Sequence, residues 1–155
     1  MSYCTQSEIN SLFGDISDDI SQELFTTVID NSTSWIDSNL KRAYVPVPTI
    51  TVETENVTIQ GTTTTVYNLI NVPSGLRTAA IYYAASDILL SLYHGEELPV
   101  QYDVWFNKAQ QLLNDYIEAY KNTEAEEADL VKHQIVKHSK GLTYNQKRRM
   151  KRWVR

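Results

Sequence analysis

The sequence predicts a mainly α fold: a helical bundle of about four helices, a β-hairpin or extended flap between helices 2 and 3, and a C-terminal tail carrying a short helix. Three observations predict it. Apolar residues recur at helical spacing in three long stretches, 20–40, 76–93 and 105–120. A Thr-, Val- and Ile-rich segment with alternating apolar positions separates the first stretch from the second. Prolines and glycines stand where these stretches end or begin. A chain of 155 residues fits one domain plus a tail. The expected division is a helical domain over 1–121, with its flap at 49–68, followed by a linker and a basic tail over 122–155.

Thr5-Gln6-Ser7-Glu8 is a capping-box pattern and should start a short helix that runs through Phe13 and stops at Gly14. Ser17 offers the next N-cap, with Asp18 and Asp19 in a first turn favoured by the helix dipole. Ile20, Leu24, Val28, Trp35, Ile36 and Leu40 form the expected apolar stripe of this second helix. Lys41 and Arg42 suit its C-terminal end, and Pro46 and Pro48 prevent its continuation. From Thr49 to Asn68, Ile50, Val52, Val57 and Ile59 are the apolar members of a hairpin whose tight turn falls at Gln60-Gly61. Its other positions are almost all Thr, Asn and Glu.

Pro73 opens the third helix in its first turn. Leu76 to Tyr93 is apolar nearly all round, and Ala79, Ala80, Ala84 and Ala85 permit close approach, so this helix is expected at the centre, ending at Gly95. Arg77 and Asp87 interrupt it, which marks a buried helix and not a membrane span. After Pro99, a fourth helix carries Trp105, Ala109, Leu112, Leu113, Tyr116, Ile117 and Tyr120 on one stripe and Asn107, Gln111, Asp115 and Glu118 on the other side. The acidic, Ala-rich run 122–129 either continues that helix or links it to the tail. Gly141 breaks the chain there. Thr143-Tyr144-Asn145-Gln146, a further capping-box pattern, predicts a terminal helix over 144–154.

The net charge of −5 conceals a sharp division. Up to Asp129 the basic residues are Lys41, Arg42, Arg77, Lys108 and Lys121, against all nineteen acids, which leaves that part at −14. After Asp129 come nine basic residues and no acid, a charge of +9. An acidic body with a basic arm is a pattern built for a partner. Ten tyrosines and three tryptophans point the same way, since amphipathic aromatics are enriched at interfaces. The single cysteine, Cys4, excludes an intramolecular disulfide and is expected as a small apolar residue at the edge of the core. A lone cysteine suits a reducing compartment or a place where redox is irrelevant, and the first ten residues have neither the basic nor the apolar region of a secretory signal.

No catalytic constellation stands out, and the expectation is a protein that is not an enzyme, with no cofactor and no metal. There is no phosphate-binding glycine loop, no G-x-S-x-G and no CxxC. His94 falls at a predicted helix end, as a dipole partner. His133 and His138, five apart, do not share a helical face. Asp15, Asp18, Asp19 and Glu23 lack the glycine and the alternating oxygen ligands of a calcium loop.

The tail residues Lys147, Arg148, Arg149, Met150, Lys151, Arg152, Trp153, Val154 and Arg155 carry the main expectation of binding. Met150, Trp153 and Val154 fall at i, i+3 and i+4, an apolar anchor in a basic peptide that suits docking onto a protein. The alternative is a nucleic-acid-binding module, with Lys and Arg on phosphates and Tyr144 and Trp153 stacking on bases. A solvated end is the third reading.

A family resemblance joins these pieces. Tyr3-Cys4-Thr5, Glu8-Ile9, Leu12-Phe13-Gly14 and Ile16-Ser17-Asp18-Asp19-Ile20 resemble the start of the head–tail connector (adaptor) proteins of tailed bacteriophages. Ile36-Asp37 to Leu40, with Tyr44-Val45-Pro46, is similar to the end of their second helix. Val72-Pro73, Leu76-Arg77 and Ala79-Ala80 through Ala84 resemble the start of their central helix. The resemblance covers 1–120. It implies a non-enzymatic virion protein made in the host cytoplasm and placed at the head–tail junction. There it would form a ring, expected to be dodecameric, between the portal and a tail or stopper protein. DNA would pass through the lumen without sequence-specific recognition, and no membrane would be involved. It further implies that the C-terminal segment docks on the portal, and that the flap, here Ile50, Val52, Val57, Ile59 and Gly61, meets a neighbour or the lumen. An acidic wall suits a DNA conduit, because like charge keeps the duplex from sticking. The long basic tail departs from a minimal member of the family.

Overall fold

The computed structural model of the chain describes residues 2–14, 20–59, 62–93 and 99–140, with side chains described throughout except at 55–59, 62–67 and 129–140. The elements are α1 (Gln6–Phe13), α2 (Gln22–Arg42), β1 (Thr51–Ile59), β2 (Thr62–Ile70), α3 (Ser74–Leu92) and α4 (Val100–Lys140). The fold is mainly helical, with a small antiparallel sheet between helices 2 and 3. The chain divides into two compact units, Met1–Ile117 and Glu118–Arg155. Ser17, Asp18, Asp19, the turn at Gln60-Gly61, His94, Gly95 and the whole of 141–155, including the expected terminal helix, lie outside the described residues.

α1 starts where its sequence directs. Glu8 Oε2 accepts from the Thr5 backbone N–H at 2.8 Å and from the Thr5 hydroxyl at 2.9 Å, which ties the first turn together. Gly14 ends it at φ 58, ψ −130, a conformation that only glycine adopts without cost.

α2 starts later than the Ser17 pattern suggests. Ser21 is its N-cap, and its hydroxyl accepts from Leu24 N at 3.2 Å. Ile20 before the cap and Phe25 in the first turn are both buried, the two positions of a hydrophobic staple. The core stripe is accordingly Phe25, Val28, Ser32, Ile36 and Leu40. Leu24 and Trp35 are only half-buried. Ser32 enters the stripe without cost because its hydroxyl donates to Ile29 O at 2.8 Å.

α3 is the central helix: α1 and α2 both pack on it. Leu76, Ala79, Ala80, Ala84, Ala85 and Ile88 are fully buried. The alanines let neighbouring backbones approach, while Leu76 and Ile88 supply bulk. Each buried Leu or Ile side chain is worth about 1.5–3 kcal/mol. Pro73 stands one residue outside the helix, as its N-cap, and its carbonyl accepts from Arg77 N at 2.9 Å. α4 follows Pro99 as expected and buries Ala109 and Leu113. The acidic run 122–129 continues it as helix to Lys140.

The hairpin pairs with unbroken register from Thr51↔Ile70 to Ile59↔Thr62. Without a bulge, strand positions alternate strictly, so Val52 stands on one face and Val57 and Ile59 on the other. The four apolar residues do not form one stripe. Ile50, which precedes β1, is buried with the helical core, whereas Val52 is 42% exposed.

Candidate functional site

The quoted motif pieces meet in space. Tyr3 donates its hydroxyl hydrogen to Asp37 Oδ1 at 2.7 Å, joining the N-terminal piece to the end of α2. Arg77 Nε pairs with Glu8 Oε1, joining α3 to α1. Ile9, Ile36, Leu40, Leu76, Ala79 and Ala80, one or more from each piece, are all fully buried. Cys4 belongs to the same core. Burial pushes its thiol up to about 12, with Ser32 acting in the opposite direction. Burial also raises the phenols of Tyr3, helped by Asp37, and of Tyr83, helped by Asp87.

The corner after α2 has a geometry that the sequence does not announce. Val45 N donates to Leu40 O at 2.9 Å and Tyr44 N to Lys41 O at 3.1 Å, with Leu40 and Val45 both buried beneath them. This is a Schellman ending, whose left-handed position is usually glycine. Here it is Tyr44, at φ 60 and with 92% of its surface exposed. A β-carbon in that region costs on the order of 1–2 kcal/mol. Asn71, directly after β2, is also left-handed, at φ 63, and its amide donates to Thr51 Oγ1 at 3.3 Å. Asparagine tolerates this conformation; tyrosine has no such excuse. The presence of an aromatic where glycine would be more stable marks Tyr44 as a candidate contact residue.

An aromatic ladder crosses three helices. Trp35 of α2 stacks on Tyr83 of α3 at 4.4 Å; Phe106 of α4 lies 6.1 Å beyond Tyr83, and Tyr102 stacks on Phe106 at 5.8 Å. Phe13 of α1 meets Trp105 of α4 edge to face at 5.3 Å. Large rings thus hold α4, whereas small side chains line α3. The sequence did place Trp35 on the core stripe, but its ring lies over α3 at the rim. The open side of the ladder is a shallow groove of about 530 Å³ that includes Ser34, Trp35, Ser38, Arg42 and Tyr83. A second groove of about 370 Å³ lies between Tyr82 and the α4 residues Val104, Trp105 and Lys108. Val104 is 52% exposed, and Val100 at the start of α4 is 79% exposed.

Of the residues expected to bind, Ile50 is in the core and Val52 is exposed. Val57 and Ile59 are placed by backbone register alone, and Gly61 and Lys147–Arg155 lie outside the described residues. Among the described residues no group of His, Cys, Asp or Glu gathers as a metal would require, and no helix is long and apolar enough to cross a membrane. Comparison with protein-family models, with curated proteins and with solved structures finds no match.

Proposed function

We propose that this chain is a structural virion subunit, a head–tail connector that assembles as a ring, of about twelve copies, between a portal and a tail or stopper protein, with DNA passing through it. One observation carries the reading. The separate motif pieces that resemble connector proteins pair with one another, Tyr3 with Asp37 and Glu8 with Arg77, around a single core. Short degenerate motifs scattered along a chain mean little alone; motifs that hold each other in place are the parts of one framework. The order helix, helix, hairpin, helix, helix supports the same reading, with the hairpin in the loop position. The hairpin is a two-stranded sheet whose outer edges have no strand partner among the described residues, which suits a contact with a neighbouring copy.

The basic tail is the portal-docking segment in this reading, with Met150, Trp153 and Val154 as anchors and the Lys and Arg residues steering the approach. Deleting 141–155 leaves a folded subunit that no longer loads onto portal rings. Normal loading of the truncated chain sinks the docking role. Should the full chain instead ignore portals and bind duplex DNA with an affinity that falls steeply with salt, the basic arm is a nucleic-acid module.

A further inference from the structure

The groove along α2 has no role in the reading above. Its floor is one helical stripe in which Ser34, Trp35, Ser38 and Arg42 recur about once per turn, and Tyr83 forms the far wall. Hydroxyl-bearing residues this small let another backbone come close. Arg42 lines its C-terminal end and Lys41 precedes it in the last turn of α2; both are exposed, and neither has an acidic partner among the described residues. No acid lines the groove. It extends from Asn31 to Arg42, about 16 Å of helix.

The chain also holds a surface of opposite character. Residues 121–128 are helical and exposed at every position. Glu124, Glu126 and Glu127 lie within four residues, and Glu124 and Glu127 share a face. These glutamates have no basic partner among the described residues either. Helix 118–128 is about 15 Å long, a match for the groove.

We infer that the α2 groove of one copy receives the acidic helical segment 118–128 of a second copy, with Glu124 and Glu127 answering Lys41 and Arg42. The inference rests on the ring reading for its occupant. Two different patches on each copy make a head-to-tail contact, the kind that closes into a ring when the rotation between copies allows it and otherwise runs on as a filament. Surface charge of this kind sets register and partner more than raw affinity.

The test uses the full-length chain in sedimentation velocity. Lys41→Glu with Arg42→Glu makes the groove acidic; Glu124→Lys with Glu127→Lys makes the helix basic. All four positions are exposed, so helicity by circular dichroism stays at the wild-type value. Each double variant alone self-associates roughly tenfold more weakly or worse. An equimolar mixture of the two recovers assembly, because each acidic groove then meets a basic helix and each basic groove an acidic one. Double variants that assemble like the wild type, or a mixture that fails to recover, overturn this interface and leave the ring reading standing. A wild-type chain that stays monomeric but is captured by portal rings also overturns it, again without touching portal docking.

Discussion

The helical core around α3 and the β1–β2 hairpin are separated by only a few residues, yet they dispose of their polar and apolar groups in opposite ways. In the core, α3 buries Leu76, four alanines and Ile88 completely, and even its polar Ser86 donates to Tyr83 O at 2.7 Å. The hairpin is two strands wide, has apolar residues at register positions on both faces, and has a Thr-rich second strand. An isolated two-stranded hairpin is at best marginally stable. Stability is therefore concentrated in the helical core, and the hairpin is free to be shaped by what it meets. Of the two left-handed residues on either side of it, Asn71 directly follows β2, and Tyr44 stands at the corner after α2.

The largest effect that could break this contrast is in the core. Ile36→Ala or Leu76→Ala, each at a side chain with no exposed surface, lowers unfolding stability by about 2–5 kcal/mol in urea denaturation. A loss under about 1 kcal/mol would mean that the helices are held elsewhere.

Alkaline pH probes the same core. Cys4 titrates near 9 when unfolded and near 12 when folded, and the phenols of Tyr3 and Tyr83 are raised as well. Above pH 9 the native state therefore holds more protons than the unfolded chain, and stability falls as pH rises through this range. Urea midpoints measured from pH 8 to 11 decline, and Cys4→Ala makes the decline shallower. A flat profile would show that these groups are open to water.

Tyr44→Gly relieves the left-handed backbone and raises stability by about 1 kcal/mol, while weakening assembly. A variant that is more stable and equally competent in assembly would remove Tyr44 from the contact surface. The smallest effect on folding is expected from the hairpin. Replacing 54–67 by Asn-Gly, which keeps the Glu53↔Asn68 pair beside a two-residue turn, changes stability by under about 1 kcal/mol and abolishes ring formation. A loss of several kcal/mol would place the hairpin inside the cooperative core.

Much of the fold was legible because local chemistry settles it. Thr5 and Glu8, Gly14, Pro73 and Pro99 mark helix ends wherever they occur, and the α4 stripe is long enough to be unambiguous. The start of α2 was not, because Ser17 and Ser21 are each followed by residues that suit a helix. Burial of Ile20 with Phe25 decides between them, and that is a tertiary fact. The split of Val52 from Val57 and Ile59 follows from the absence of a bulge between them, which the residue types do not announce. Tyr44 gave no signal, since the usual glycine is absent from its turn. Nor did the ladder from Trp35 to Tyr102, whose rings come from three helices.

The most direct measurement is native mass spectrometry of the full-length protein, alone and with portal rings. A closed ring of about a dozen subunits, or stoichiometric capture by the portal that disappears when 141–155 is removed, is the result predicted. A monomer that ignores the portal would contradict it.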